Sequence, residues 1–168
     1  SSGSTASTIA RPVSAEVAES WFSRTMDVLA PCQTDSVAVG TALRSTPAGG
    51  GSTDLAVVRA AGQAVEDCTA LNEDPQIVAA WQDVRAAFPR ATSLLEQWLD
   101  ATVVVDRAAL EAAATNLDDR RMVTRVYDGA RLADELAAAF EAEILSLAAD
   151  LGIDPPAVPF LLRWNAPA

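Results

Sequence analysis

The side chains that could do chemistry in this chain are narrowly restricted. The 168-residue sequence contains no histidine and no lysine. Without histidine, Ser-His-Asp and Cys-His catalysis, histidine-ligated zinc or haem, and the Glu-x-x-His pairs of di-iron bundles are excluded. Without lysine, Schiff-base chemistry and a Walker phosphate site are excluded. We expect no enzymatic activity, no cofactor and no metal site, since an enzyme would have to work with Asp, Glu, Arg, Ser, Thr and Tyr127 alone.

The cysteines form the first candidate pair. Cys32 and Cys68 are the only two in the sequence, and we expect them to form a disulfide. Closing the loop between them would stabilise the fold by about 4 kcal/mol in the chain-entropy treatment. Because disulfides persist in oxidising compartments, the pair favours an exported protein. The alternative is a pair of free buried thiols, which would carry no information about the compartment.

A group of arginines forms the second candidate site, for an anion or a partner protein. Within twelve positions the sequence places Arg120, Arg121, Arg125 and Arg131, together with the single tyrosine, Tyr127. Near a helix N-terminus such a group could bind a carboxylate or a phosphate. The alternative is a solvated face, in which the arginines pair with neighbouring aspartates three and four positions away.

Large aromatic residues form the third candidate site, an apolar pocket. Its predicted members come from three helices, the long C-terminal helix and the tail: Trp21, Trp81, Trp98, Phe140, Phe160 and Trp164. Such residues could line a cavity for a lipid or an apolar small molecule. They could equally fill the core between alanine-rich helices.

Charge and composition limit the partners and the fold. The net charge of −11 and the pI near 4.3 argue against binding to nucleic acid or to anionic membrane, because both require basic patches. Much of the 50% apolar content is alanine, the best helix former, and no run alternates with the period of a strand. Lysine-free, alanine- and arginine-rich usage is typical of a GC-rich bacterial genome.

The N-terminal residues SSGSTAST are small and polar. They resemble the tether that follows the lipidated cysteine of a bacterial envelope lipoprotein, over these eight positions only. The resemblance implies a mature protein anchored on the outer face of the cytoplasmic membrane, or a secreted one. The alternative is a remnant of cloning. We expect a flexible tether over residues 1–12 and a single helical domain over 13–168.

These residues must be positioned by helices, and local signals predict where the helices begin and end. Ser14 is expected to cap the first helix and Pro31 to end it, followed by a short helix from about 34 to 44. Gly62 is expected to mark a close crossing between helices. Pro75 is expected to be the first residue of a new helix. Pro89 either begins the next helix or kinks the one before it. The whole is predicted to be an all-α, antiparallel bundle of about five or six helices.

The C-terminal half of the predicted bundle is a long helical hairpin. Residues 95–112 and 118–151 share a 3.5-residue apolar repeat, typical of helices packed along each other. A turn near 116–119 would pair small residues near the turn and large ones at the far end: Ala109 with Ala130, Val105 with Ala133, Thr102 with Ala137, Trp98 with Phe140, and Leu95 with Ile144. The alternative is one continuous helix through 116–119. Gly152 is expected to end the last helix, and the apolar tail 158–164 to pack back on the bundle.

Together these observations favour a non-enzymatic, exported cell-envelope protein, a mature lipoprotein that acts as a helical interaction or accessory module. Its partner would be another envelope protein, and it would touch the membrane only through an N-terminal lipid anchor. One alternative is a carrier or sensor of an apolar molecule or lipid in a tryptophan-lined cavity. A second is an enzyme that uses arginine and carboxylate side chains brought together from different helices.

Overall fold

The computed structural model describes residues 12–45, 55–73, 75–115 and 119–155, and for residues 45, 72–73 and 76–81 it describes the backbone alone. These ranges contain five α-helices and no strand, which confirms the predicted all-α class. The helices are α1 (Ala15–Ser45), α2 (Leu55–Glu73), α3 (Pro75–Ala87), α4 (Pro89–Thr115) and α5 (Arg120–Leu151). The most extensive contacts join α4 with α5, α1 with α2, and α2 with α4. The predicted tether before residue 12 and the tail after residue 155 lie outside the described ranges.

Helix α1 begins as predicted but does not end as predicted. The Ser14 hydroxyl accepts a hydrogen bond from the Val17 amide at 3.3 Å, so Ser14 caps the helix. The expected end at Pro31 is wrong, because one helix of 31 residues continues through it and absorbs the predicted helix over 34–44. Pro31 lies on the exposed face, where water can bind the carbonyl that loses its partner. The next residue, Cys32, is fully buried, and the packing of buried residues like this one stabilises the helix on both sides of the proline.

The two predicted proline starts are both confirmed. Pro75 is the first residue of α3, and Pro89 is the first residue of α4, so Pro89 does not kink a longer helix. Between α3 and α4 stands the fully buried Phe88. Its ring packs against Trp21 and Phe22 of α1, with ring centroids 5.9 Å and 5.6 Å apart. These contacts fix the α3–α4 junction against α1.

The close helix crossing lies at a glycine other than the expected one. A Cβ placed on Gly62 would meet nothing within 4 Å, so the prediction for Gly62 is wrong. A Cβ on Gly129 of α5 would lie 2.9 Å from Cγ2 of Val105 on α4. The absence of a side chain at Gly129 therefore lets α4 and α5 approach each other.

Helix α5 has a capping residue at each end, and the one at its C-terminus is the predicted Gly152. The Asp119 carboxylate accepts the Arg121 amide at 3.0 Å and forms the N-cap. Gly152, at φ 69°, ends the helix, and the amide of Ile153 donates to the Ala148 carbonyl at 3.0 Å. Because α4 ends at Thr115 and Asp119 is extended, the alternative of one continuous helix is wrong.

The buried apolar residues form two separate clusters. We call the first the aromatic cluster, and its members include Phe22, Leu29, Phe88, Leu95, Trp98, Leu99, Phe140, Ile144 and Leu147. We call the second the alanine cluster, which contains Val39, Leu43, Val57, Ala61, Ala64, Val105, Ala109, Ala112, Ala113, Val126 and Ala130. On α1 the boundary falls between Cys32 and Val39, and on α2 between Cys68 and Ala64. No helix in the described ranges is both long enough and apolar enough to cross a membrane.

Candidate functional site

The predicted disulfide between Cys32 and Cys68 is present. Both cysteines are fully buried, and their Cα atoms are 4.6 Å apart. Because α1 continues through Pro31, the bond joins the middle of α1 to α2, rather than the end of a first helix. It lies at the boundary between the two apolar clusters, where several polar groups are also buried.

The most deeply buried of these polar groups is the carboxyl of Asp106 on α4, which is 0% exposed. The Ser36 hydroxyl on α1 donates to Asp106 Oδ1 at 3.3 Å. The other oxygen, Oδ2, lies 3.9 Å from the disulfide sulfur of Cys68. Burial raises the pKa of Asp106 to about 8, against the opposing effect of the Ser36 hydrogen bond and with a further rise from the charge of Asp35. At neutral pH the carboxyl is therefore mostly uncharged.

A second pair of carboxyl groups lies beside this one. The carboxyl groups of Asp35 of α1 and Asp67 of α2 face each other, and when one of them is protonated it can donate a hydrogen bond to the other. Burial, followed by the bond and the charge of Asp67, raises the pKa of Asp35 to about 6. The bonds from Asp35 and then Gln63 lower the pKa of Asp67. Asp35 Oδ2 is buried without a hydrogen-bond partner among the described residues.

We call Asp35, Ser36, Asp67 and Asp106 the acidic layer. It spans α1, α2 and α4 at the level of the disulfide. In the described part of the chain, no group of three acidic or cysteine residues is arranged to hold a metal ion. Because burial raises the pKa of both Asp35 and Asp106, the layer favours carboxyl groups that hold a proton.

The acidic layer was missed by the sequence analysis, although one signal pointed to it. Thr102, Asp106, Ala109 and Ala113 follow one another at spacings of four, three and four, and all are buried on α4. An aspartate in such a row is expected to face the interior. Ser36 and Asp35 gave no comparable signal, because the sequence placed them in a separate short helix.

Only part of the predicted arginine group is exposed on the surface. Arg120, Arg121 and Arg125 are exposed on the first turns of α5. Arg131 forms an ion pair with Asp128 on the same helix, as in the solvated-face alternative. Tyr127 is half-buried and packs against the alanine cluster, so it belongs partly to the core. One backbone amide at this helix start already has a partner, because the backbone N–H of Arg121 donates a hydrogen bond to the Asp119 carboxylate.

The aromatic residues that the structure describes lie mainly in the core. Trp98 and Phe140 are buried in the aromatic cluster, and the half-buried Trp21 packs against it. The Trp81 side chain, Phe160 and Trp164 lie outside the described residues. A cavity of about 20 Å³ lies within this region. It is lined by Phe22, Thr25, Met26, Val84, Ala91, Thr92, Leu95, Phe140 and Ile144, and by neither Trp21 nor Trp98. That volume holds about one water molecule, far less than a lipid requires.

Two ion pairs bring arginine and glutamate together from different helices. Arg85 of α3 pairs with Glu96 of α4 on the surface. Arg90 of α4 lies 3.5 Å from Glu143 of α5, whose side chain is 7% exposed. Burial raises the pKa of Glu143, whereas the charge of Arg90 lowers it and that of Asp150 raises it. The Oε2 atom of Glu143 is buried with no hydrogen-bond partner among the described residues.

Comparison with known proteins provides no further indication of activity. No protein-family model, curated protein or solved structure matches this chain.

Proposed function

We propose that this protein is a non-enzymatic, exported cell-envelope protein, a mature lipoprotein that acts as a helical interaction module. The observation that carries the proposal is the buried disulfide between Cys32 and Cys68. Cytosolic thiols are kept reduced, so a structural disulfide favours an oxidising compartment. The polar residues 1–8, with their resemblance to a lipoprotein tether, agree with that compartment.

In the architecture proposed for this module, α4 and α5 form an antiparallel hairpin. Two contacts support it: Val105 lies against Gly129, and Arg90 pairs with Glu143. The residue with the higher number on α4 contacts the residue with the lower number on α5, as expected for antiparallel helices. The contact to Gly129 is about one helical turn away from Ala133, the residue that the apolar repeat pairs with Val105.

The proposed hairpin is also supported by the separation of its large and small residues into different clusters. Trp98 and Phe140 belong to the aromatic cluster, and Ala109 and Ala130 to the alanine cluster, as the hairpin requires. The apolar tail 158–164, outside the described residues, is proposed to pack back on this bundle, because exposed tryptophan and phenylalanine favour aggregation.

The proposed contact surface is the exposed arginine group at the start of α5, consisting of Arg120, Arg121 and Arg125. In a chain with a net charge of −11, such a cationic patch would orient an acidic partner surface, because the remaining surface repels it. A guanidinium group also forms paired hydrogen bonds with a carboxylate, which gives the contact a defined geometry.

The compartment is tested by trapping thiols in the cells that make the protein. Rapid acid quenching followed by alkylation and intact-mass measurement should show no alkyl groups on the chain, because both cysteines are bonded. Cysteines of an abundant cytosolic protein in the same sample should be fully alkylated, as a control. Two alkyl groups on this protein would show reduced thiols and contradict the proposed compartment.

The contact surface is tested by charge reversal. In-cell cross-linking should give an adduct with the wild-type chain, and the Arg121→Glu, Arg125→Glu double variant should lose it. The matched control reverses two exposed arginines on other helices, Arg24→Glu and Arg59→Glu, and should keep the adduct. An adduct insensitive to the α5 changes would place the contact elsewhere.

The carrier and enzyme hypotheses stay predictions. A carrier requires room for its ligand, and native mass spectrometry of freshly purified protein would reveal a bound lipid or small molecule. An enzyme requires an accessible cleft beside a pair such as Arg90 and Glu143. Stoichiometric bound lipid would favour the carrier over the interaction module.

A further inference from the structure

The acidic layer joins three helices through side chains that bind protons. The Ser36 hydroxyl of α1 donates a hydrogen bond to Asp106 of α4, and the carboxyl of Asp35 on α1 faces that of Asp67 on α2. These contacts cross from one helix to another at the boundary between the two apolar clusters. At this level, polar side chains contribute to the contact between the three helices, together with the disulfide.

We propose that the acidic layer is a pH-responsive clamp, which holds α1, α2 and α4 together while its carboxyl groups share protons and loosens them when the protons are lost. The clamp goes beyond the proposed envelope function and does not depend on it. The signal would be the pH of the compartment, and the response would be local opening around the disulfide.

The direction of the response follows from burial. Folded Asp106 keeps its proton up to a pKa of about 8, whereas an exposed aspartate loses it near pH 3.9. Opening the layer between these pH values releases a proton, so rising pH favours the open state. The Asp35–Asp67 pair acts in the same direction, because above a pH of about 6 it becomes two facing carboxylates that repel each other.

The groups that face Asp106 contain no compensating cation among the described residues. Helix α1 contributes Asp35 and Ser36, and α2 contributes Asp67 and the disulfide, which does not titrate. From α5, Gly129 lies against Val105, the neighbour of Asp106 in the chain, and the effects on Asp106 come from burial, Ser36 and Asp35, none of which supplies a positive charge. None of the ion pairs formed by described residues includes Asp35, Asp67 or Asp106.

The disulfide provides a direct reporter of opening. Because Cys32 and Cys68 are fully buried at the level of the clamp, a phosphine reductant reaches them only when the helices separate. We would measure the reduction rate of the full oxidised chain by tris(2-carboxyethyl)phosphine from pH 5 to pH 9. Dividing each rate by that for oxidised glutathione at the same pH removes the reductant's own pH dependence.

The wild-type rate is expected to rise with pH, by up to about tenfold per pH unit, since one proton is released on opening. Asp106→Asn should remove most of this rise, because the amide does not titrate. The control Asp100→Asn changes an exposed aspartate on the same helix and should behave like wild type. A rise in Asp106→Asn as steep as in wild type would overturn the proposal.

Two further variants keep the proposal testable if Asp106→Asn does not fold. Ser36→Ala removes the hydrogen bond that favours the charged form of Asp106, so the pKa of Asp106 should increase. The reduction rate should then continue to rise up to a higher pH than in wild type. Asp35→Asn removes a charge that raises the pKa of Asp106 and should end the rise at lower pH. Shifts in these opposite directions support the clamp, whereas no shift, or a shift of both in one direction, contradicts it.

Discussion

Ser36 and Asp106 are hydrogen-bonded in the protein interior although 70 positions separate them in the chain. Their bond crosses from α1 to α4 between two apolar clusters and next to a disulfide. It holds a carboxyl group that would be charged in water and is largely uncharged here, because burial outweighs the effect of the hydrogen bond. The stability of the whole protein should therefore depend on pH.

Global stability is expected to be greatest in mild acid. The folded-state pKa of Asp106 is raised to about 8, so its contribution is fully present below the unfolded pKa near 3.9 and is lost as the pH rises through 8. Urea unfolding of the oxidised protein at pH 5 and pH 8 should differ by on the order of 2 kcal/mol or more. Asp106→Asn should reduce this difference. Equal unfolding free energies of wild type at the two pH values would contradict the buried, protonated carboxyl.

Removing the disulfide is expected to destabilise the fold strongly. The bond closes a loop across 36 positions, and in the chain-entropy treatment its loss costs about 4 kcal/mol. The Cys32→Ala, Cys68→Ala double variant should unfold at a lower temperature and a lower urea concentration than wild type. Reductant should lower the unfolding temperature of wild type and leave that of the double variant unchanged. A variant as stable as wild type would show that the bond contributes nothing.

Two glycine-to-alanine changes are expected to act in opposite directions. In Gly62→Ala the new methyl group meets open space, so the helix should gain up to about 1 kcal/mol. In Gly129→Ala it lies 2.9 Å from Cγ2 of the buried Val105, a stiff β-branched side chain, and overpacking should cost about 1–3 kcal/mol. Urea unfolding measures both changes. Adding Val105→Ala should relieve part of the cost, and purely additive effects would rule out the contact.

A double-mutant cycle tests the proposed pairing of Trp98 with Phe140. Both residues are buried in the aromatic cluster, and the apolar repeat of the two helices predicts that they are neighbours. The unfolding free energies of Trp98→Ala, Phe140→Ala and the double variant should show a coupling of at least about 0.5 kcal/mol. The control cycle combines Trp98→Ala with Val126→Ala in the alanine cluster and should be additive. Additivity of the Trp98 and Phe140 changes would count against the proposed register.

Local signals were sufficient for much of the fold. Ser14 and Gly152 delimit helices as expected, because a cap depends on a few neighbouring backbone groups and on one side chain or one left-handed residue. Pro75 and Pro89 begin helices for a similarly local reason. The disulfide could be anticipated because the sequence offers only one possible pair.

Other features required long-range information. Whether Pro31 ends a helix depends on whether its side of the helix meets water, and whether a glycine marks a crossing depends on what lies opposite, as Gly62 and Gly129 show. The burial of Asp106 suits the periodicity of α4, but its partner Ser36 lies on a distant helix. No spacing in the sequence relates the two residues.

The sequence by itself thus determined the all-α class, most helix ends and the disulfide, because each depends on residue type or on nearest neighbours along the chain. Only the tertiary structure decided that α1 is continuous, that α4 and α5 approach at Gly129, and that Asp35, Asp67 and Asp106 lie in one layer. The reason is physical: a carboxyl group's pKa and a proline's effect are set by burial and by distant partners, which sequence spacing does not encode.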